Sequence, residues 1–406
     1  MRFELFVAQR YLRSRQGKRV SGTTAIAIGG VFVGVAAVLI VLSVINGFHL
    51  ELRTRILGAT PHISVTEYTY KPFPYAGPDD TLFDRLERFP GVVSAAPFVY
   101  TKTLIRSDKG VEGVIVRGVD PARESDVTDI GAGIQEGSFS FDSSGVVLGV
   151  ELARVMGVMV GDELEIVSPF GGTPTPMGYL PKTGRFRING IFDSGMYEYN
   201  SSFVYMGLPD LQQFLGMEGM ITGYELRVRD VYSAARLARR ITSSLGHPYR
   251  AVDWIMQNRN LFTALRLEKV VTFILMVLIV LVAAFNIIGM LMMIVMRKTR
   301  EIGILKAVGA TPNAVTRVFV LAGLLIGGLG TGFGAVFGFV ACWLLNRYRF
   351  VTLPGDVYFI RNLPVQMQWL DFVVVCVSAM VIVFVATVYP AIRASRLDPV
   401  EAIRYE

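Results

Sequence analysis

Four long stretches of this chain contain no Asp, Glu, Lys or Arg: Val20 to Phe48, Val270 to Met296, Val318 to Asn346 and Phe372 to Ile392. A hydrocarbon core is crossed by about 20 predominantly apolar residues in a helix, which satisfies every backbone N–H and C=O inside one segment. Each stretch is long enough, so the chain is expected to be an α-helical membrane protein with four transmembrane helices. One stretch lies near the N-terminus and three lie in the C-terminal third, a 1+3 arrangement with a long polar segment between.

Basic residues in short flanking segments set orientation. The start carries Arg2, Arg10, Arg13, Arg15, Lys18 and Arg19 against Glu4, and the loop after the second stretch carries Arg297, Lys298, Arg300, Lys306 and Arg317 against Glu301. Arg393, Arg396 and Arg404 follow the last stretch. The expected layout is a cytoplasmic amphipathic segment 1–19, transmembrane helix 20–48, an outer polar domain 49–269, transmembrane helix 270–296, a cytoplasmic loop 297–317, transmembrane helix 318–346, an outer loop 347–371, transmembrane helix 372–392 and a cytoplasmic tail 393–406. The first stretch follows a basic segment as a signal-peptide core would, but such cores span about 7–15 residues, so an uncleaved anchor is expected.

The formal net charge of +7 would suit a polyanion, yet the basic excess sits in the cytoplasmic flanks. The polar domain has slightly more acidic than basic residues, and no nucleic-acid partner is expected. Cys342 and Cys376 both fall inside spans, so a hydrophobic core and not disulfides must hold the polar domain. His49, His62 and His247 are scattered, and no metal-ligand spacing, nucleophile elbow or G-x-x-x-x-G-K-[ST] loop occurs. Catalysis, metal and bound cofactor are therefore not expected on this chain, and any energy source must be a partner.

Within the polar domain, strand patterns at His62 to Val65, Val92 to Val99, Lys102 to Ile105 and Gly113 to Val119 surround a helix pattern at Thr81 to Arg88, closed by Pro90-Gly91. A second strand–helix–strand order follows at Gly223 to Val228, Val231 to Leu245 and Tyr249 to Val252, with Ala234, Leu237, Ala238 and Ile241 on one helix face. The middle is β-rich and Gly-rich, with strands at Gly145 to Leu148, Glu163 to Val167, Arg185 to Ile191 and Ser202 to Met206 and a helix near Glu151 to Met156. The expectation is an α+β base, 49–120 and 209–269, carrying an inserted β subdomain, 121–208. No strong breaker separates Trp254 to Lys269 from the second span, which predicts one continuous helical stalk.

Gly323, Gly327, Gly330, Gly334 and Gly338 recur along the third stretch, as do Gly30 and Gly34 in the first, a spacing that lets helix backbones approach closely. In the cytoplasmic loop, residues 299–312 place Ile302, Leu305 and Val308 on one face of a short helix, which stops at Gly309 and restarts at Thr311-Pro312. Such a helix can dock into a soluble partner or lie at the interface with its lysines in water.

The run Arg300, Glu301, Ile302, Gly303, Ile304, Leu305, Lys306, Ala307, Val308, Gly309, Ala310, together with Tyr389 to Arg404, resembles the MacB/FtsX-type ABC permeases. Tyr11-Leu12-Arg13, Leu42 to Phe48, Arg266 to Lys269 and Ala284 to Ile288 resemble the lipoprotein-releasing (Lol) branch, and the likeness covers essentially the whole chain. The resemblance implies a MacB-like permease fold with a periplasmic α+β domain. It also implies a multi-pass subunit of the inner membrane of a Gram-negative bacterium, both termini cytoplasmic, that works with a homodimeric ABC ATPase using ATP and Mg. A second permease subunit, identical or of the other C/E type, would complete the transmembrane part. The implied task is extraction of acylated lipoproteins and their transfer to a periplasmic chaperone; an FtsX-like mechanotransmitting regulator or a MacB-like efflux permease are the alternatives.

By the same resemblance, residues 300–309 form the ATPase-coupling element, and the first and second spans face the lipid anchor, for example through Val41, Val44, Ile45, Phe48, Phe273 and Ile274. The loop Ser168 to Pro181 resembles the chaperone-recruiting hook of the C-type permease, with Phe170, Pro174, Pro176, Met177, Gly178, Tyr179, Leu180 and Pro181 as its residues. Asp356 to Ile360, Leu363-Pro364 and Trp369 to Asp371 are more similar to the E-type, so the chain mixes the two.

Overall fold

The computed structural model describes residues 2–12, 22–142, 144–175, 178–348 and 363–398. They fall into a helical unit, within Met1–Leu50, Leu265–Thr352 and Asn362–Glu406, and a sheet unit, Glu51–Ala264. In chain order the helices are α1 (Arg2–Leu12), α2 (Gly22–Ala59), α3 (Thr81–Glu87), α4 (Pro121–Val127), α5 (Val150–Met156), α6 (Tyr197–Ser202), α7 (Leu208–Leu215), α8 (Ala234–Leu245), α9 (Trp254–Gln257), α10 (Arg259–Arg297), α11 (Thr299–Ala307), α12 (Pro312–Tyr348) and α13 (Trp369–Ser395). The strands are β1 (Ile63–Glu67), β2 (Phe73–Pro74), β3 (Val92–Ser107), β4 (Gly110–Val119), β5 (Ile134–Gly137), β6 (Gly145–Gly149), β7 (Glu163–Thr175), β8 (Gly178–Phe192), β9 (Phe203–Gly207), β10 (Met220–Ile221), β11 (Gly223–Val228) and β12 (Tyr249–Asp253).

Among the described residues four helices, α2, α10, α12 and α13, are long and apolar enough to cross a membrane. Each extends beyond its uncharged stretch, because a charge at the membrane edge ends the apolar run without breaking the backbone ladder. Asn258, at the C-cap of α9, separates that single turn from α10. The expected stalk from Trp254 is therefore interrupted there and continuous only from Arg259.

The glycine stripe of α12 serves two neighbours. A Cβ on Gly323 would collide with Thr387, and one on Gly327 would lie 2.5 Å from Val383, so this half abuts α13. Gly330 and Gly334 meet Val31 and Val35 of α2 at 2.6 and 2.9 Å by the same construction, so the other half abuts α2. Close backbone approach of this kind is how helices associate where lipid offers no hydrophobic driving force. Helix α1 buries Val7, Ala8, Tyr11 and Leu12 in the same core.

In the sheet unit ten strands form one sheet, in the order β12-β1-β11-β3-β4-β9-β6-β8-β5, with β7 pairing both β3 and β8. The circuit β3-β4-β9-β6-β8-β7 closes on itself as a barrel. The two extended runs 92–99 and 102–105 are one strand, β3; its first half pairs with β11 through Val92–Phe98, and its far end pairs with β7 through Leu104–Arg106. The segment 121–208, expected as an inserted subdomain, thus shares its sheet with the base through β4–β9 and β3–β7.

Period-two alternation decides which face each residue joins. Ile63, Val65, Val99, Tyr224 and Leu226 are buried on the face where α3 and α8 pack, as the contacts of Phe83 with Tyr224 and of Leu237 beneath Gly91 show. Ser64, Thr66, Tyr100, Lys102, Arg117, Glu225 and Arg250 share the opposite face by register. Helix α3 starts at Asp80, whose carboxylate accepts from the N–H groups of Leu82 and Phe83 at 2.9 Å, an N-cap that satisfies two orphan donors.

Candidate substrate cavity and docking elements

Helices α2, α10 and α13 line an open-sided cavity of about 400 Å³. Val31, Val35, Val38 and Leu42 line it from α2, Phe273, Val277, Val280 and Ile287 from α10, and Val375, Ala379 and Ile382 from α13. Ser378 is the one hydroxyl in the lining, and no ionisable side chain enters it. An apolar space of this kind suits alkyl chains, each CH₂ of which costs about 0.8 kcal/mol to expose to water.

Beyond Leu42 the walls are bridged by polar contacts. Asn46 Nδ2 of α2 donates to Asp371 Oδ2 of α13 at 2.6 Å, and His49 Nε2 lies 3.6 Å from Glu268 Oε2 of α10. The Cys342 position, next to the α2 helix, is buried and Cys376 is partly so.

Of the six residues expected to face lipid, the cavity takes Phe273. Val41, Val44, Ile45, Phe48 and Ile274 are not in its lining. A uniformly apolar span carries no periodicity to mark which of its sides lines a cavity. The same uniformity concealed α13 as the third wall.

The segment expected to couple to an ATPase is helical as α11, with Ile302 and Leu305 turned to the chain's own core. Ile302 is 1% exposed and, with Leu305, borders a tight apolar space against Tyr11, Val315 and Phe319, so these two face the chain's own core. Gly303 is buried, which leaves Ile304 at 48%, Ala307 and Val308 at 84% as the exposed apolar surface, flanked by Arg300 and Glu301. Glu301 accepts from Lys298 Nζ at 2.6 Å, and that ammonium lies 5.5 Å from the Tyr11 ring centroid. Lys306 Nζ donates to Ser395 O at 3.0 Å and Leu397 O at 2.6 Å, capping the end of α13 where carbonyls lack intrahelical partners. Gly309, at φ +110°, ends the turn in a conformation that a side chain would strain.

The segment expected to be a loop is the end of a hairpin. β7 and β8 pair from Glu163↔Arg187 to Thr175↔Gly178, with Pro174 opposite Tyr179 and Thr173 opposite Leu180. The register slips between Ser168 and Thr173, and Pro169 and Pro181 lie at that irregularity, where a missing N–H breaks no ladder bond. Leu180 is 57% exposed and Pro181 is exposed. Pro176 and Met177 lie outside the described residues, as do the side chains of Phe170, Pro174 and Tyr179 and the surroundings of Gly178.

Buried ionic chemistry concentrates in the sheet unit. Arg117 and Glu225 pair with side chains 6% and 3% exposed, and Arg117 lies over the rings of Phe98 at 5.3 Å and Tyr205 at 5.7 Å. Glu124, fully buried, accepts from Thr128 Oγ1 at 2.9 Å. Burial and then the Glu225 carboxylate push the Glu124 carboxyl up to about 7, against the lowering influence of Arg117. Sequence patterning did not single out these residues, because alternation assigns an odd strand position to a face without saying what covers that face. Among the described residues no cluster of metal-ligating side chains occurs.

Residues 24–244 match the family model for a MacB-like periplasmic core domain, and residues 273–399 match that for an FtsX-like permease C-terminal region. The chain is 34% identical to the lipoprotein-releasing system transmembrane protein LolC of Xylella fastidiosa, over 98% of each chain. It is 33% identical to the LolC of Neisseria meningitidis and 30% identical to the LolE of Haemophilus influenzae, over 99% of this chain and of each relative.

Proposed function

We propose that this chain, which belongs to the family of lipoprotein-releasing system transmembrane proteins, is the permease subunit of an ABC transporter that extracts acylated lipoproteins from the inner membrane and passes them to a periplasmic chaperone. The observation that carries the reading is the uncharged cavity between α2, α10 and α13, whose chemistry suits acyl chains and whose walls are candidate spans. A regulator that only relayed motion to an external hydrolase would need no such cavity.

On this reading ATP and Mg are used by a separate ATPase, and α11 presents Ile304, Ala307 and Val308 to it. The Asn46–Asp371 hydrogen bond ties α2 to α13 beyond Leu42, and on this reading it parts as an acyl chain passes. The β7–β8 hairpin recruits the chaperone, with Leu180 among its exposed apolar contacts. Relatives named both LolC and LolE match over the full length, which favours two copies of this chain filling both permease positions. Both termini and α11 lie on the cytoplasmic side, by the basic residues flanking the spans.

Depletion of the protein from its host tests the whole reading. Outer-membrane lipoproteins are expected to accumulate in the inner membrane by fractionation; unchanged distribution after depletion rejects it.

A further inference from the structure

The face of the sheet opposite α3 and α8 holds a second cavity, of about 660 Å³. Its size lies within the about 300–1,000 Å³ of clefts that bury most of a bound ligand. Aromatic rings of Phe98, Tyr100, Tyr199 and Phe203 form much of its wall, and Tyr199 stacks on Phe203 with centroids 4.5 Å apart.

Charge complementarity specifies the occupant. Lys102, Arg250 and Arg259 line the cavity, and among the described residues no carboxylate within ion-pair distance answers any of them. Glu225, the single acidic residue of the lining, is already committed to Arg117. Lys102 lies on β3 and Arg250 on β12, and β1 and β11 separate those strands. By register Arg250 is level with Phe98, three strand spacings or about 14 Å across, and Lys102 lies further along β3, so the span exceeds one phosphate or carboxylate and takes at least about four residues of extended chain.

Two buried polar atoms then distinguish between extended anions. Among the described residues Arg117 Nε, a donor, and Glu225 Oε2, an acceptor, have no hydrogen-bond partner; both side chains line the cavity more than nine-tenths buried, and an occupant meets these atoms as the side chains turn towards it. Leaving such groups unmade costs about 1–3 kcal/mol each. A peptide unit offers a C=O to the first and an N–H to the second. A phospholipid headgroup phosphate offers acceptors alone and leaves Glu225 Oε2 orphaned.

We propose that this cleft binds an extended acidic peptide segment, its backbone amide meeting Arg117 and Glu225, its carboxylates meeting Lys102, Arg250 and Arg259, and its length crossing the strands from β3 towards β12. The binding is a property of the sheet unit and does not depend on the transport reading. The test therefore needs neither ATPase nor chaperone.

Fluorescence anisotropy of a fluorescein-labelled hexapeptide of alternating aspartate and serine, titrated with the purified full chain in detergent at low salt, reads it directly. Saturable binding is expected, with at least a tenfold loss in the K102E/R250E double variant, whose substituted positions lie at the cavity wall and not in the core. The same thermal unfolding in variant and wild type confirms that the fold survives, and a lysine–serine hexapeptide is expected not to compete. Equal affinity in variant and wild type, competition by the basic peptide, or displacement by short-chain phosphatidylglycerol at lower concentration than by unlabelled acidic peptide would each overturn the proposal.

Discussion

Glu124 sits on α4 with one carboxylate oxygen bonded to Thr128 and the other, Oε2, without a hydrogen-bond partner among the described residues. Its folded pKa of about 7 is raised above the ordinary carboxyl value, so the neutral acid is the form the fold prefers. Below the unfolded pKa both states are protonated and the stabilisation is fully present. As pH rises from about 4.5 to about 7, the unfolded chain ionises first and that stabilisation is lost, by linkage. Between pH 4.5 and 7.5 the sheet unit is expected to lose about 1–3 kcal/mol from this group. Hydrogen exchange of its slowest amides in the full chain measures the loss, and Glu124→Gln should flatten the slope. An unchanged slope in that variant refutes the assignment.

At the scale of the element, α11 shows why the face of a short helix must be checked in three dimensions. Ile302 and Leu305 share a face and so do Ile304 and Val308, three or four residues apart in both cases; periodicity alone cannot choose between them. Packing against α1 and α12 settles it, because Tyr11 and Phe319 cover Ile302. An Ile304→Asp, Val308→Asp double change is expected to leave the fold intact and to reduce copurified ATPase at least tenfold. Two exposed apolar side chains contribute about 1.5–3 kcal/mol each when buried in a partner, before ordering costs. Ile302→Asp is expected to abolish accumulation of folded protein, because it buries an unpaired charge. Normal ATPase recovery with the double variant refutes the docking face.

The β7–β8 hairpin yields a second element-scale prediction. Residues 173–180 include paired strand ends as well as the turn, so their removal shortens a ladder that still pairs from Glu163 to Ser168. A re-closed hairpin lacking them is expected to retain the barrel and to lose chaperone binding at least tenfold in a pull-down. Retained binding would move the docking site elsewhere. That the segment is proline-rich was legible in the sequence; that it is strand was not, since four prolines within fourteen residues argue locally against a ladder. The register slip between Ser168 and Thr173 gives Pro169 and Pro181 a place where no N–H is required.

For the whole molecule, the transport reading predicts where an acyl chain is found. A photoreactive residue at Phe273 or Val38 should capture a lipoprotein during ATP-driven release, and one at Ile274 should capture several-fold less, because only the first two positions line the cavity. Capture from Ile274 alone would place the path outside the three-helix cavity.

The long apolar helices, their 1+3 order along the chain, the short helix near 299–307 and the strands of the polar segment could be read from composition and periodicity, because each is set by local rules of length and alternation. Tyr224 and Leu226 inward with Glu225 opposite is such a case: a period of two fixes the relation whatever the rest of the chain does. The tertiary structure alone decided which side of α2 and α10 faces the cavity, that α13 completes it, and that Ile302 points inward. It alone joined β3 to both β11 and β7, and so made one sheet of two expected parts. The reason is common to all of these: an apolar helix in lipid is hydrophobic all round, and a long strand can pair along either half, so the choice rests with contacts between residues far apart in the chain.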